Sequence, residues 1–336
     1  MSSAIETLDD NHYSLLHRAI FNVLDTDLAH DTYQQIIDGL PTADVAWDRS
    51  RHKLEASHPI ADHTNLCPGV KEKLSAIKAD FKIDSLTFDP STLKAFQSAS
   101  PSSHSFHLRL IELTAVALHQ IAVTLFQLHL NLHDRSTSRG LDVDAVVKWQ
   151  PEPDDFFVSI EPWPTLFAHR YFTAHEQYPN GVADMVGYWA EDRILGGVAL
   201  FDRSQSWSED SDEPDVYFHS CRMQATWRIW QLLPDQQQGL VDFLVQESRT
   251  YDGTAAPDGP FPIMPSRANT VRIDPIEAIP VRKVYRDIWE REEPPKLLRM
   301  QEDMAACVVR PDDYPEMEDT DDLIKRLNEQ FDSSHP

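Results

Sequence analysis

Between His104 and His133 the chain is apolar at most positions, and neither Pro nor Gly interrupts it. Its polar members fall at Arg109, Glu112, His119/Gln120, Thr124, Gln127 and Asn131, a helical spacing that puts them on one narrow stripe. A helix apolar around most of its circumference is buried on most sides. The pattern predicts a central core helix with the rest of the chain arranged around it.

Upstream, Tyr13, Leu16, Ile20, Val23 and Leu24 share one face of a predicted helix over 10–24, with Asp9 or Asp10 as its cap. A helix is expected over 31–38. Residues 41–68 hold Pro41, Pro59 and Pro68 with little periodicity and read as an extended loop. Val70, Leu74 and Ile77 point inward from a helix over 69–80. Asp89-Pro90 caps and starts a short helix through Phe96. The turn-rich stretch 98–105 leads into the central helix.

Downstream, 143–149 reads as a strand and 156–160 as a short extended run. Residues 184–190 and 195–202 are predicted strands joined by a hairpin-length connection. With 216–220 and 225–232 they make an antiparallel meander rich in aromatic and β-branched residues. Trp227, Trp230 and Leu233 also fit a helix step, but the alternation and Pro234 favour a strand. A helix follows over 235–247, with loop over 249–281, where TVRIDPIEAIPV reads as a surface strap. Short helices are expected over 282–291 and 320–331, flanking an acidic, poorly specified stretch at 310–322. The expected fold is α+β: a central buried helix packed against an antiparallel β-meander, with flanking helices and long Pro-rich straps. One domain over 1–336 is expected: 1–135 mainly helical, 143–232 the sheet part, and 235–336 a helix, straps and an acidic tail.

Composition narrows the partners. The formal charge of −25, from 55 acidic against 30 basic residues, repels phosphate backbones and anionic lipid. No nucleic acid and no membrane surface is expected. The central helix carries Arg109, Glu112, His119, Gln120 and Gln127 where a membrane span would be nearly uncharged. Cys67, Cys221 and Cys307 are scattered and odd in number, which is no disulfide framework and suits a reducing compartment. The first residues, MSSAIETLDDNHY, lack the apolar run of a secretory signal. A cytoplasmic setting is expected.

Signatures for phosphate cradles, nucleophile elbows, zincins and CxxC sites are missing. His52, His58, His63 and Cys67 run as H-x5-H-x4-H-x3-C, but zinc ligands pair at shorter, more regular steps. They read as exposed loop residues in a chain with 15 histidines, so no metal and no cofactor is expected. His169 and His175 do not share a helix face, with Glu176 nearby, and read as packing or exposed residues. Arg109, Glu112 and His119 admit two readings: a buried ion pair marking a cleft, or a polar stripe that fixes register, which is favoured.

The meander is the candidate surface. It carries Tyr188, Trp189, Phe201, Tyr217, Phe218, His219, Trp227 and Trp230, with Gly187, Gly196 and Gly197 between them. Aromatics with few polar groups suit a small-molecule pocket, and strand glycines let a ligand approach. The expected ligand-binding set is Tyr188, Trp189, Arg203, Tyr217, His219 and Arg228. His219, oriented by Asp202 or joined by Glu191, is the acid–base candidate. The competing reading makes these aromatics the sheet's own packing face, with the glycines accommodating the central helix.

YPNGVADMVGYWAEDRILGGVALFDR (178–203), VYFHS (216–220) and IPVRKVYRDIWERE (279–292) resemble a group of uncharacterised filamentous-fungal proteins. The similarity runs from LIELTAVALHQIAVTLFQL (110–128) to about residue 292. It implies a fungal intracellular setting and carries over no activity, cofactor or catalytic residue. The residues leave three functions open: a binder of a small organic ligand on the aromatic sheet, a scaffold with a protein partner that docks on the acidic loop 204–214 and the straps, or a tailoring enzyme of fungal metabolism using His219.

Overall fold

Asp9, Thr26, Asp89 and Ser103 each turn a side-chain oxygen onto the first free amides of a helix. The helices they start are α1 (Asp10–Leu24), α2 (Asp27–Asp38), α5 (Pro90–Ser98) and α6 (His104–Gln127). Between them lie α3 (Ala43–Ser50) and α4 (Val70–Asp80). A computed structural model of the chain describes residues 4–50, 57–101, 103–130, 132–133, 142–150, 162–204, 216–222, 225–247, 259–287, 289–290 and 313–315.

The central helix is as expected. α6 is buried along most of its length and packs on α1, α2, α5 and α8 (Val182–Leu195). It is long and apolar enough to cross a membrane, yet 72% of its apolar window is buried inside the fold. Beside it stands an antiparallel sheet of β1 (Val198–Asp202), β2 (Val216–His219), β3 (Ile229–Gln231), β4 (Arg272–Ile273) and β5 (Val284–Tyr285), in the order β4-β3-β2-β1-β5. Side chains alternate between its faces. Ala199, Phe201, Val216, Phe218 and Trp230 join the main core with α6, while Val198, Leu200, Tyr217, Ile229 and Ile273 join a second cluster. The fold is therefore α+β, a buried helix packed against an antiparallel sheet.

Several segments depart from the sequence expectation. Residues 184–190 are not a strand but the body of α8, so the meander proper is β1-β2-β3 with short strands added at both edges. The reason is burial on every side: α8 sends Val186, Trp189, Ala190 and Ile194 into the main core and Met185 and Tyr188 into the second. Its acidic residues Asp184, Glu191 and Asp192 are buried as well, so no solvent-facing stripe marks its period. Residues 143–149 form a short helix, α7 (Val143–Val147), capped by Asp142. The stretch 41–68 holds α3 and a single-turn helix over Pro59–Asp62. Where 282–291 was expected to be helical, a tight turn over Ala278–Arg282 delivers the chain into β5, which hydrogen-bonds beside β1. α9 (Pro234–Val245) falls where expected. The extended run 156–160, the helix over 320–331 and most of the loop 204–214 and the acidic stretch 310–322 lie outside the described residues.

Candidate metal centre

Asp38 is the last residue of α2, and Gly39 turns the chain away in a left-handed conformation (φ 99°). A carboxylate at a helix C-terminus faces the negative end of the dipole. Asp38 is also buried, so it needs cationic or proton-donating partners close by. Three residues distant in sequence supply donor atoms. His63 follows the single-turn helix, Cys67 precedes α4, and His133 lies beyond the end of α6.

The donor atoms of Asp38, His63, Cys67 and His133 all lie within 4.8 Å of one another. Asp38 Oδ2 is 2.7 Å from His133 Nε2 and 3.0 Å from His63 Nε2. Cys67 Sγ lies 3.5 Å from His133 Nδ1, and the Cys67 amide donates to Asp38 Oδ1 at 2.6 Å. His63 Nδ1 lies 2.8 Å from the Pro41 carbonyl oxygen, an arrangement that fixes the ring and aims Nε2 inward. That buried Nε2 faces Asp38 Oδ2 at 3.0 Å and points into the cluster. Burial pushes the Asp38 carboxyl up, but the two imidazoles and the Cys67 amide together hold it well below the usual range. Burial lowers His63, and Asp38 with the Pro41 carbonyl more than restores it, so the net direction is up.

Nitrogen, sulfur and carboxylate oxygen together suit zinc or a similar divalent transition ion and do not suit magnesium or calcium. Donors bound to zinc at about 2.0–2.3 Å stand roughly 3.3–3.8 Å apart in a tetrahedron. The two Asp38–imidazole distances are shorter than this and the 4.8 Å bound on the set is longer, so side-chain rotations would be needed to even out the donors around an ion. With four protein donors, the set would fill a tetrahedral zinc and leave no open position for substrate, which is the pattern of a structural site. Of the linear cluster expected to be exposed, His63 and Cys67 belong to this centre, His63 buried and Cys67 half-buried. His58 is buried too, and its Nδ1 caps the single-turn helix by accepting the Ile60 amide. His52 lies outside the described residues. Asp38 and His133 carried no local signal.

A second polar cluster lies between α6, α8 and the strap after β5. His119 is clamped by Asp184 on Nε2 and Glu191 on Nδ1, each at 2.9 Å. Arg286 reaches Glu191 at 2.7 Å. Nearby, Glu112 takes Arg109 and Arg203, each at 2.7 Å, and Arg203 also donates to the carbonyls of Tyr285 and Arg286. The polar stripe of α6 thus fixes α8 and the strap in register.

The residues expected to form one ligand site are spread over several places. Tyr188, on a helix rather than a strand, stacks on Phe172 in the second cluster, which also holds Tyr217. His219 is buried against Tyr171 at 4.3 Å between ring centroids. Trp189 packs in the main core against Phe167. Arg228 is bound to Asp274 at 2.7 Å and lies over the Tyr314 ring. The expected pairing of His219 with Asp202 does not form. Sheet register puts His219 opposite Val198, at the far end of β1 from Asp202, about 13 Å along the strand at roughly 3.3 Å per residue. Asp202 instead accepts the Ser204 amide, and Glu191 serves His119. His169, fully buried, lies 3.0 Å from the His219 carbonyl through Nε2, while His175 sits in a separate half-exposed turn. Comparison with protein-family models, with curated proteins and with solved structures gave no match.

Proposed function

We propose that the protein holds a zinc-class divalent ion as a structural clasp, with Asp38, His63, Cys67 and His133 as its ligands. The observation that carries this reading is the convergence of those donors from segments up to 95 residues apart, with a buried His63 nitrogen aimed into the cluster. An ion there would tie the end of α2, the 63–67 loop and the chain beyond α6. Binding only to the folded state, it would add about 4 kcal/mol of stability at a thousandfold excess over its Kd. A reducing compartment, expected from the scattered cysteines, would keep Cys67 available as a thiolate.

The test is metal content. Protein produced with zinc present and then desalted is weighed by native mass spectrometry and assayed by elemental analysis. Stoichiometric zinc is expected in the parent, and its loss in Asp38→Ala and His133→Ala while Cys221→Ser keeps it. A metal-free parent under these conditions would refute the reading.

A second reading, a protein-docking role for the strap, is favoured by the exposed apolar side chains of Val271, Ile276, Val281 and Trp289. The aromatic ligand site has less support, because Tyr188, Tyr217 and His219 are packed against core neighbours.

A further inference from the structure

The four donors differ in how they meet solvent. Asp38, His63 and His133 are buried, whereas Cys67 is only half-buried. Cys67 is therefore the most solvent-exposed of the four ligand residues. Sulfur is also the one donor here with an accessible two-electron oxidation.

A second feature concerns the state without metal. Asp38 keeps the His133 ring nitrogen at 2.7 Å and the Cys67 amide at 2.6 Å, so the buried carboxylate has partners whether or not an ion is present. Loss of the ion would leave no uncompensated buried charge at Asp38, and the surrounding helices need not unfold. A site with two acceptable states can be switched.

Resting on the metal-centre reading, we propose that Cys67 is an oxidant-sensitive ligand through which a hydroperoxide releases the ion. The Cys67 thiolate attacks one peroxide oxygen. A sulfur–oxygen bond forms as the oxygen–oxygen bond breaks, and the departing hydroxide or alkoxide takes a proton from solvent. Sulfur loses two electrons and the peroxide gains them. The sulfenic acid is a far weaker ligand than the thiolate, so Asp38, His63 and His133 are left to hold the ion alone and it dissociates. A thiol reductant returns the thiolate and the site reloads.

The experiment uses the full chain loaded with zinc, its stoichiometry confirmed before oxidant is added. Hydrogen peroxide is introduced with a chromogenic zinc chelator present, and dimedone adducts are mapped by peptide mass spectrometry. Zinc release in step with a Cys67 adduct is expected, reversed by dithiothreitol and added zinc. Cys67→His, which keeps a ligand but removes the sulfur, should load zinc and release it about tenfold more slowly or not at all. Cys221→Ser should behave like the parent, which keeps the test intact if Cys67→His fails to load. Zinc retained under peroxide, or released with adducts only at Cys221 or Cys307, would overturn the switch and leave the metal centre standing. A parent chain that never loads zinc would bring down both.

Discussion

His119 is a buried base whose protonation decides whether its surroundings are electrically balanced. With Asp184, Glu191 and Arg286 it forms a quartet that is neutral only when the imidazole carries its proton. Burial pulls His119 down, but Asp184 and Glu191 outweigh it and raise it above 6.5. Burial pushes Glu191 up, and Arg286 and His119 bring it below 4.5. Asp184 is likewise held below its usual value against burial, by His119 and Asn180. The linked stability of His119 is full below pH 6.5 and is lost as pH rises through its raised folded value. That of Glu191 is full above pH 4.5 and is lost as pH falls through its lowered one. Urea denaturation across pH should therefore give a maximum from this quartet between 4.5 and 6.5. His119→Gln should cost about 3–5 kcal/mol within that window and flatten the alkaline limb. An alkaline slope equal to that of the parent would show that His119 is not the group responsible. The stripe of Arg109, Glu112 and His119 was readable from its spacing on α6, but its partners were not, because they come from α8 and the strap.

At the scale of elements, α6 and α8 form the most extensive helix–helix interface among the described residues. A methyl group at Gly187 would stand 2.5 Å from the His119 ring, which is fixed between two carboxylates and cannot retreat. Gly187 thus accommodates the central helix, the competing reading of the meander glycines, although it does so from a helix and not from a strand. Gly187→Ala should destabilise by about 1–3 kcal/mol in urea denaturation. Gly239→Ala, at an exposed position of α9 with nothing within 4 Å, is the control and should be neutral or stabilising by up to about 1 kcal/mol. Equal effects at the two sites would contradict this account of the interface. Elements with one wet face were legible, as Tyr13, Leu16, Ile20 and Val23 were on α1. α8 was not, since nearly every residue from Ala183 to Leu195 is buried. Its remaining cues were at the ends: Asp184 in the first turn, Arg193 in the last and Gly196 just past it.

For the molecule as a whole, the proposed clasp joins parts of the helical layer that are remote in sequence. Its ligands were half visible. His63 and Cys67 stood out by their nearness, but Asp38 and His133 are 95 residues apart, and only the packing of α2 beside the end of α6 brings them together. Donor sets assembled by tertiary contact leave no spacing to read. The same holds for the apolar sheet faces, whose composition fits a ligand pocket and a packed core equally well until register is known.

The central claim, that these residues form one tetrahedral centre with a sulfur ligand, is met most directly by the electronic spectrum of the chain loaded with cobalt(II). Cobalt takes zinc's place in such sites and reports both geometry and thiolate ligation. The account predicts intense visible bands of tetrahedral cobalt with a thiolate-to-metal charge-transfer band in the near ultraviolet. That band should vanish in Cys67→Ser, and the visible bands should collapse in Asp38→Ala. A weak octahedral spectrum, or one unchanged by Cys67→Ser, would contradict it.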